Sequence, residues 1–213
     1  MALCIVFDIA YIISTAKNRN FIGLIVKTLA ALCFITIGYL GYKNNNNAFN
    51  SYILLGLILD GFGDLLLAIR NIFAKNIMFI LGTISFLSGH IVFIRALFSL
   101  ANNYLIEGII GSVLIGALLF YLLDRICRFN KVLTVLGISY MIIISMMVCL
   151  SVGIYLTNQT VAHLVFMMGA VLFISSDIIL VIYNFSKKEK WMHTVYSLAY
   201  FTAQILISYS LFL

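Results

Sequence analysis

Residues 56–69 read GLILDGFGDLLLAI, and within them Asp60 and Asp64 stand in what is otherwise nearly pure hydrocarbon. The apolar character continues on both sides. Of 213 residues, 64% are hydrophobic, 9% are charged and none is proline. A soluble domain of this size cannot hide so much apolar surface, and continuous apolar runs of about twenty residues recur, the pattern of helices that cross a bilayer. Backbone groups in lipid must bond within their own segment, so the choice lies between helices and a closed barrel. The runs do not alternate, which selects helices. Any kink must then come from glycine or local unwinding.

Eight spans follow: Ala2–Ala16, Phe21–Tyr42, Ser51–Ile69, Ile77–Leu100, Tyr104–Leu123, Lys131–Leu156, Val161–Tyr183 and His193–Phe212. The first lacks a basic leader and a cleavage site, so it reads as a retained helix. No Pro/Ser-rich linker divides the chain, which predicts a single all-α transmembrane domain over residues 1–213. Basic residues alternate between loops. Lys17 and Arg19 follow span one, Arg70 and Lys75 span three, Arg125, Arg128 and Lys131 span five, and Lys187, Lys188 and Lys190 span seven; the other loops hold only Lys43. Positive loops stay cytoplasmic, so both termini are expected outside a cytoplasmic membrane of bacterial type. The net charge of +6 then reflects topology and anionic headgroups rather than nucleic acid. Cys4, Cys33, Cys127 and Cys149 show no metal or redox spacing, and Cys127 reads as a free thiol in a cytoplasmic loop. Asn44–Asn47 reads as a solvated loop.

An echo of the opening stretch occurs at 169–182, GAVLFISSDIILVI. Both segments start on glycine and place an aspartate eight residues later, Asp64 and Asp177, an offset of 113 residues. The same offset carries Lys27 onto Tyr140 and His90 to the neighbour of Gln204. This suggests a four-plus-four parallel repeat with halves 1–103 and 104–213, an arrangement that places a site between the halves.

Depth gathers the polar residues. At about 1.5 Å of rise per residue, Asp64 and Asp177 both lie roughly 9 Å from the cytoplasmic end of their spans. Asp60 is one turn deeper on the same face. Lys27 reaches a similar depth, Tyr140 and Tyr200 slightly more, then Gln204 and finally His90. Charged groups in the bilayer core are costly, so these must face one another or water. An intramembrane acid reads first as a functional site, and the competing reading is that Lys27 neutralises one acid and fixes helix packing. His90 is either a core histidine donating to a carbonyl or a catalytic or substrate-positioning group. Asp8, at the depth of Lys27, reads as its ion-pair partner. Arg95 and Glu107 flank one loop and read as a pair at the outer surface. Trp191 reads as an interfacial belt residue.

HExxH, G-x-S-x-G, P-loop and dinucleotide glycine motifs are absent from the sequence, so no metal or cofactor is expected. Two carboxyl groups in one dry pocket cannot both ionise cheaply, and can hold one proton between them. One then serves as general acid and the other as general base towards water, chemistry suited to acetals, glycosides and enol ethers. Lys27, with Tyr140 or Tyr200, could bind a phosphate or set the pair's ionisation. A site inside the membrane implies an amphiphilic lipid substrate. The same residues would serve a proton-coupled transporter.

GLILDGFGD at 56–64, SFLSGHIVFI at 85–94, GAVLFISSD at 169–177 and YFTAQILISYS at 200–210 are similar to the YhhN family of membrane proteins, whose characterised members are lysoplasmalogenases. The resemblance runs from Lys27 to the C-terminus. It implies eight transmembrane helices and hydrolysis of the vinyl ether bond of a lysoplasmalogen to a fatty aldehyde and a glycerophospho-base, usually glycerophosphocholine or glycerophosphoethanolamine. It also implies Asp64 and Asp177 as the catalytic acids, with His90, Tyr200, Gln204 and Lys27 in support. The chain departs from the pattern at Lys27-Thr28, where Lys-Pro is common, and at Asp60, where serine is frequent.

Overall fold

The computed structural model describes residues 1–73, 76–127 and 129–213. Lys75 and Arg128, used above for topology, lie outside the described residues. Among the described residues every regular element is a helix. The elements are α1 (Ala2–Ala16), α2 (Asn20–Asn44), α3 (Ala48–Phe73), α4 (Asn76–Leu97), α5 (Leu105–Ile126), α6 (Lys131–Asn158), α7 (Val161–Phe185) and α8 (Lys190–Tyr209), the last running into a 3₁₀ turn at Ser210–Phe212. Among the described residues, α2 to α8 are the seven helices long and apolar enough to cross a membrane, while α1 has only 15 residues. This is the architecture of an integral membrane protein.

Several helices outrun the apolar spans by up to four residues. Their ends carry polar groups that meet water and caps. Asn130 accepts from the Leu133 amide to start α6, and Thr160 from the His163 amide to start α7. The Asn44–Asn47 tract forms a tight exposed turn, in which the Asn47 side chain accepts from the Asn50 amide and Asn50 Nδ2 donates to the Asn45 carbonyl. Gln159 adopts φ 48° and turns the chain from α6 into α7.

Packing sets α3 on α4, α7 on α8 and α5 on α6, with α2 between α1 and α3. α8 also meets α1, α2 and α3, while α6 joins α4 and α7. Hence α8 is central: 56% of its apolar window is buried, against 17% for α5 on the flank. No water is expelled between helices in lipid, so close packing and interhelical hydrogen bonds must hold the bundle. Phe34, Leu57, Phe93, Ile144, Phe173 and Phe201 fill its interior. Two glycines permit the closest approaches. A Cβ at Gly116 of α5 would fall 2.6 Å from the Ile142 Cα of α6, and one at Gly89 of α4 would collide with the Asp60 carboxyl of α3. Ser85 of α4 ties the same pair by donating to the Leu59 carbonyl at 2.6 Å.

Candidate functional site

The residues singled out from the sequence converge. Asp60, Asp64, His90 and Gln204 are at most 1% exposed, and Lys27, Tyr140, Asp177 and Tyr200 are also buried. α3 supplies both of its aspartates from one face, as i and i+4. Lys27 Nζ of α2 lies 3.0 Å from Asp64 Oδ1. The Tyr200 hydroxyl of α8 donates to Asp64 Oδ2 at 2.7 Å. Each oxygen of Asp64 therefore receives a donor, one of them a cation. Gln204, one turn along α8, donates from Nε2 to Asp60 Oδ2 at 2.7 Å and to the Tyr200 oxygen at 3.1 Å.

A second chain of contacts serves Asp177. The Tyr140 hydroxyl of α6 donates to Asp177 Oδ2 at 2.5 Å, and the Tyr140 oxygen lies 3.1 Å from His90 Nε2. Since the phenol proton is committed to Asp177, the His90 contact requires the ring to donate from Nε2. His90 Nδ1 is then an acceptor, and it has no partner among the described residues. The ring is held edge-on to Phe173, with centroids 4.7 Å apart. Ser176 Oγ, 3.5 Å from Asp177 Oδ1, chiefly bonds the Phe173 carbonyl. No cation pairs with Asp177 among the described residues.

Asp64 and Asp177 border one cavity. Lys27, Tyr140 and Tyr200 line it beside them, whereas Asp60, His90 and Gln204 sit behind its wall. From the acids it runs to Phe79, Phe129 and Phe185, at the end of the bundle where α3 meets α4, α5 meets α6 and α7 meets α8. Its walls differ. α1, α2 and α8 present Tyr11, Lys27, Tyr196 and Ser197, while α5 and α6 present Phe120, Leu123, Leu133 and Leu136. Such a space suits a ligand that is polar on one side and hydrocarbon on the other.

Two expected ion pairs are not formed. Asp8 is bonded by Ser197 Oγ at 2.6 Å, and Lys27 turns instead to Asp64. Depth alone does not fix rotation about a helix axis, and α1 presents Asp8 to α8. Arg95 lies over the Tyr52 ring at 5.1 Å, and no pair with Glu107 forms. His90 bonds a phenol, not a carbonyl. Cys127 is free but buried. Tyr11, Ser176, Tyr196 and Ser197 line the cavity and were not selected from the sequence. α8 did carry a signal: His193, Ser197, Tyr200, Gln204 and Ser208 recur at helical spacing and form a buried polar stripe on the least apolar of the seven long helices.

Fold and site together define a polytopic helical membrane protein with a buried acidic centre on a largely lipophilic cavity. The chain belongs to the YhhN family, whose model matches residues 22–211. Neither curated proteins nor solved structures give a match.

Proposed function

We infer that the protein is a lysoplasmalogenase-like hydrolase, which cleaves the vinyl ether bond of an alkenyl-glycerophosphocholine or -ethanolamine drawn from the membrane. The observation that carries this reading is that Asp64 and Asp177 border one cavity in unlike surroundings. Asp64 has a cation on one oxygen and a phenol on the other; Asp177 has a phenol and, among the described residues, no cation. Unlike environments are what assign two carboxyl groups to opposite roles. Asp177 is thus the general acid, and Asp64 the carboxylate.

In this mechanism Asp177 protonates the outer vinyl carbon, and the ether oxygen's electrons form an oxocarbenium ion. The Asp64 carboxylate stabilises that cation and takes a proton from the water that adds to it. The product is a hemiacetal. Asp177, now ionised, removes the hemiacetal hydroxyl proton while Asp64 returns its proton to the departing glycerol oxygen. Aldehyde and alcohol leave, and both acids regain their starting states.

The paired contacts also support the four-plus-four repeat. Lys27 of α2 contacts Asp64 of α3, and at the 113-residue offset Tyr140 of α6 contacts Asp177 of α7. In the same reading both termini face outward and the cavity reaches the cytoplasmic leaflet, because the basic loops cluster at that end.

Purified protein in detergent, given a lysoplasmalogen, tests the reading. Release of fatty aldehyde is expected. No release, together with proton-coupled uptake by liposomes containing the protein, would favour a transporter.

A further inference from the structure

Arg70 stands at the rim where the cavity ends, beyond Asp64 on the same helix, α3. Its guanidinium lies over the ring of Phe79 of α4, 4.6 Å from the centroid, and Nη1 donates to Asn184 Oδ1 of α7 at 3.0 Å. Phe79 lines the cavity at that end. It packs on Phe185, the chain neighbour of Asn184, with ring centroids 5.4 Å apart. The planar group is thus held from two sides.

Its charge is unmatched. Arg70 is half-buried, and no carboxylate pairs with it among the described residues. A guanidinium carries five N–H donors, and the Asn184 contact uses one. Other basic residues at that end of the bundle, such as Arg125 and Lys187, are exposed. Inside the cavity, Lys27 is spent on Asp64. A half-buried fork set in place with donors to spare is the group that recognises phosphate oxygens.

The span fits as well. Along α3, Arg70 lies about 9 Å of helical rise beyond Asp64. In an alkenyl-glycerophospho lipid, seven bonds separate the vinyl carbon that takes the proton from the phosphorus atom. Extended chain covers three bonds in about 3.3–3.6 Å, so seven reach about 8 Å. With the vinyl ether between Asp64 and Asp177, the glycerol follows the wall of Tyr196 and Ser197, and the phosphorus arrives beside Phe79. The hydrocarbon takes the opposite wall, on α5 and α6.

We propose that Arg70 binds the phosphodiester of the substrate, and so reads the group that choline and ethanolamine lipids share rather than the base. The proposal rests on the hydrolase reading for where the vinyl ether lies.

The test compares two substrates in a maltoside detergent, a 1-alkenyl-glycerophosphoethanolamine and a 1-alkenyl-glycerol without phosphate. The preference for the first, taken as the ratio of the kcat/KM values, should fall about ten- to a hundredfold in Arg70→Gln, the worth of hydrogen bonds to a charged group. The loss should lie in KM and be the same for the choline lipid. Arg70→Lys, which keeps the charge without the fork, should fall between the two. An unchanged preference would overturn the proposal. So would an equal loss on both substrates, which would mean that Arg70 only ties α3 to α4 and α7.

Should the wild-type protein release no aldehyde, binding still decides. By isothermal titration calorimetry, a saturated 1-alkyl-glycerophosphoethanolamine should bind the wild-type protein more tightly than 1-alkyl-glycerol, and Arg70→Gln should lose that difference. No difference in the wild type, or the same difference in Arg70→Gln, would refute the site whatever the chemistry. Excess inorganic phosphate should leave the lipid bound; displacement would mark a site for free phosphate and overturn the proposal.

Discussion

Lys27 Nζ lies 3.0 Å from Asp64 Oδ1, and this contact makes the two cavity acids unlike. Without it, Asp64 and Asp177 would each be a buried carboxyl group held by one phenol. With it, Asp64 has its countercharge and Asp177 has none among the described residues.

Stability should register that contact first. Removing one partner of a buried ion pair strands the other, at a cost of about 3–5 kcal/mol. Lys27→Met is therefore expected to lower the apparent Tm in detergent, and Lys27→Met with Asp64→Asn to recover most of the loss. Thermal unfolding of the three proteins checks this. A single variant as stable as the parent would mean that the pair does not hold α2 to α3.

Tyr140 should matter more than His90. The phenol touches Asp177 directly, whereas the imidazole reaches it only through that phenol. Tyr140→Phe is expected to cut turnover about ten- to a hundredfold, the effect of losing a hydrogen bond to a reacting carboxyl group. His90→Phe, which fits the surrounding rings of Phe93 and Phe173, should cost only a few-fold. Steady-state kcat values for the two variants decide the order.

Chain length should be read by α6. Leu136 lines the hydrocarbon side of the cavity. Leu136→Trp shortens that side, so KM should rise for long-chain substrates and stay near the parent value for short ones. A series of alkenyl chain lengths makes the comparison, and an equal change at every length would place the chain elsewhere.

Much of this site could be read from the residues alone, because an intramembrane acid must face inward and helical rise sets its depth. Asp64 and Asp177 were matched in depth by spacing, and they do border one cavity. Rotation about each helix axis was not legible. Asp8 and Lys27 share a depth, yet α1 turns Asp8 to Ser197. Tyr11 and Tyr196 were lost among the chain's 12 tyrosines, since a phenol on an apolar helix looks the same whether it anchors at an interface or lines a cavity. Seen as a stripe with Ser197, Tyr200 and Gln204, the polar face of α8 would have located that wall.

Carbon protonation by the aspartate pair is tested most directly by turnover in D₂O. The purified protein is given a lysoplasmalogen in heavy water, and the aldehyde is trapped as it forms and weighed by mass spectrometry. Protonation of the vinyl carbon places one deuterium on the carbon next to the aldehyde group. The account predicts a singly deuterated product, and a loss of its formation by about two to four orders of magnitude in both Asp64→Asn and Asp177→Asn. An undeuterated aldehyde, or near-normal release by either variant, would contradict it.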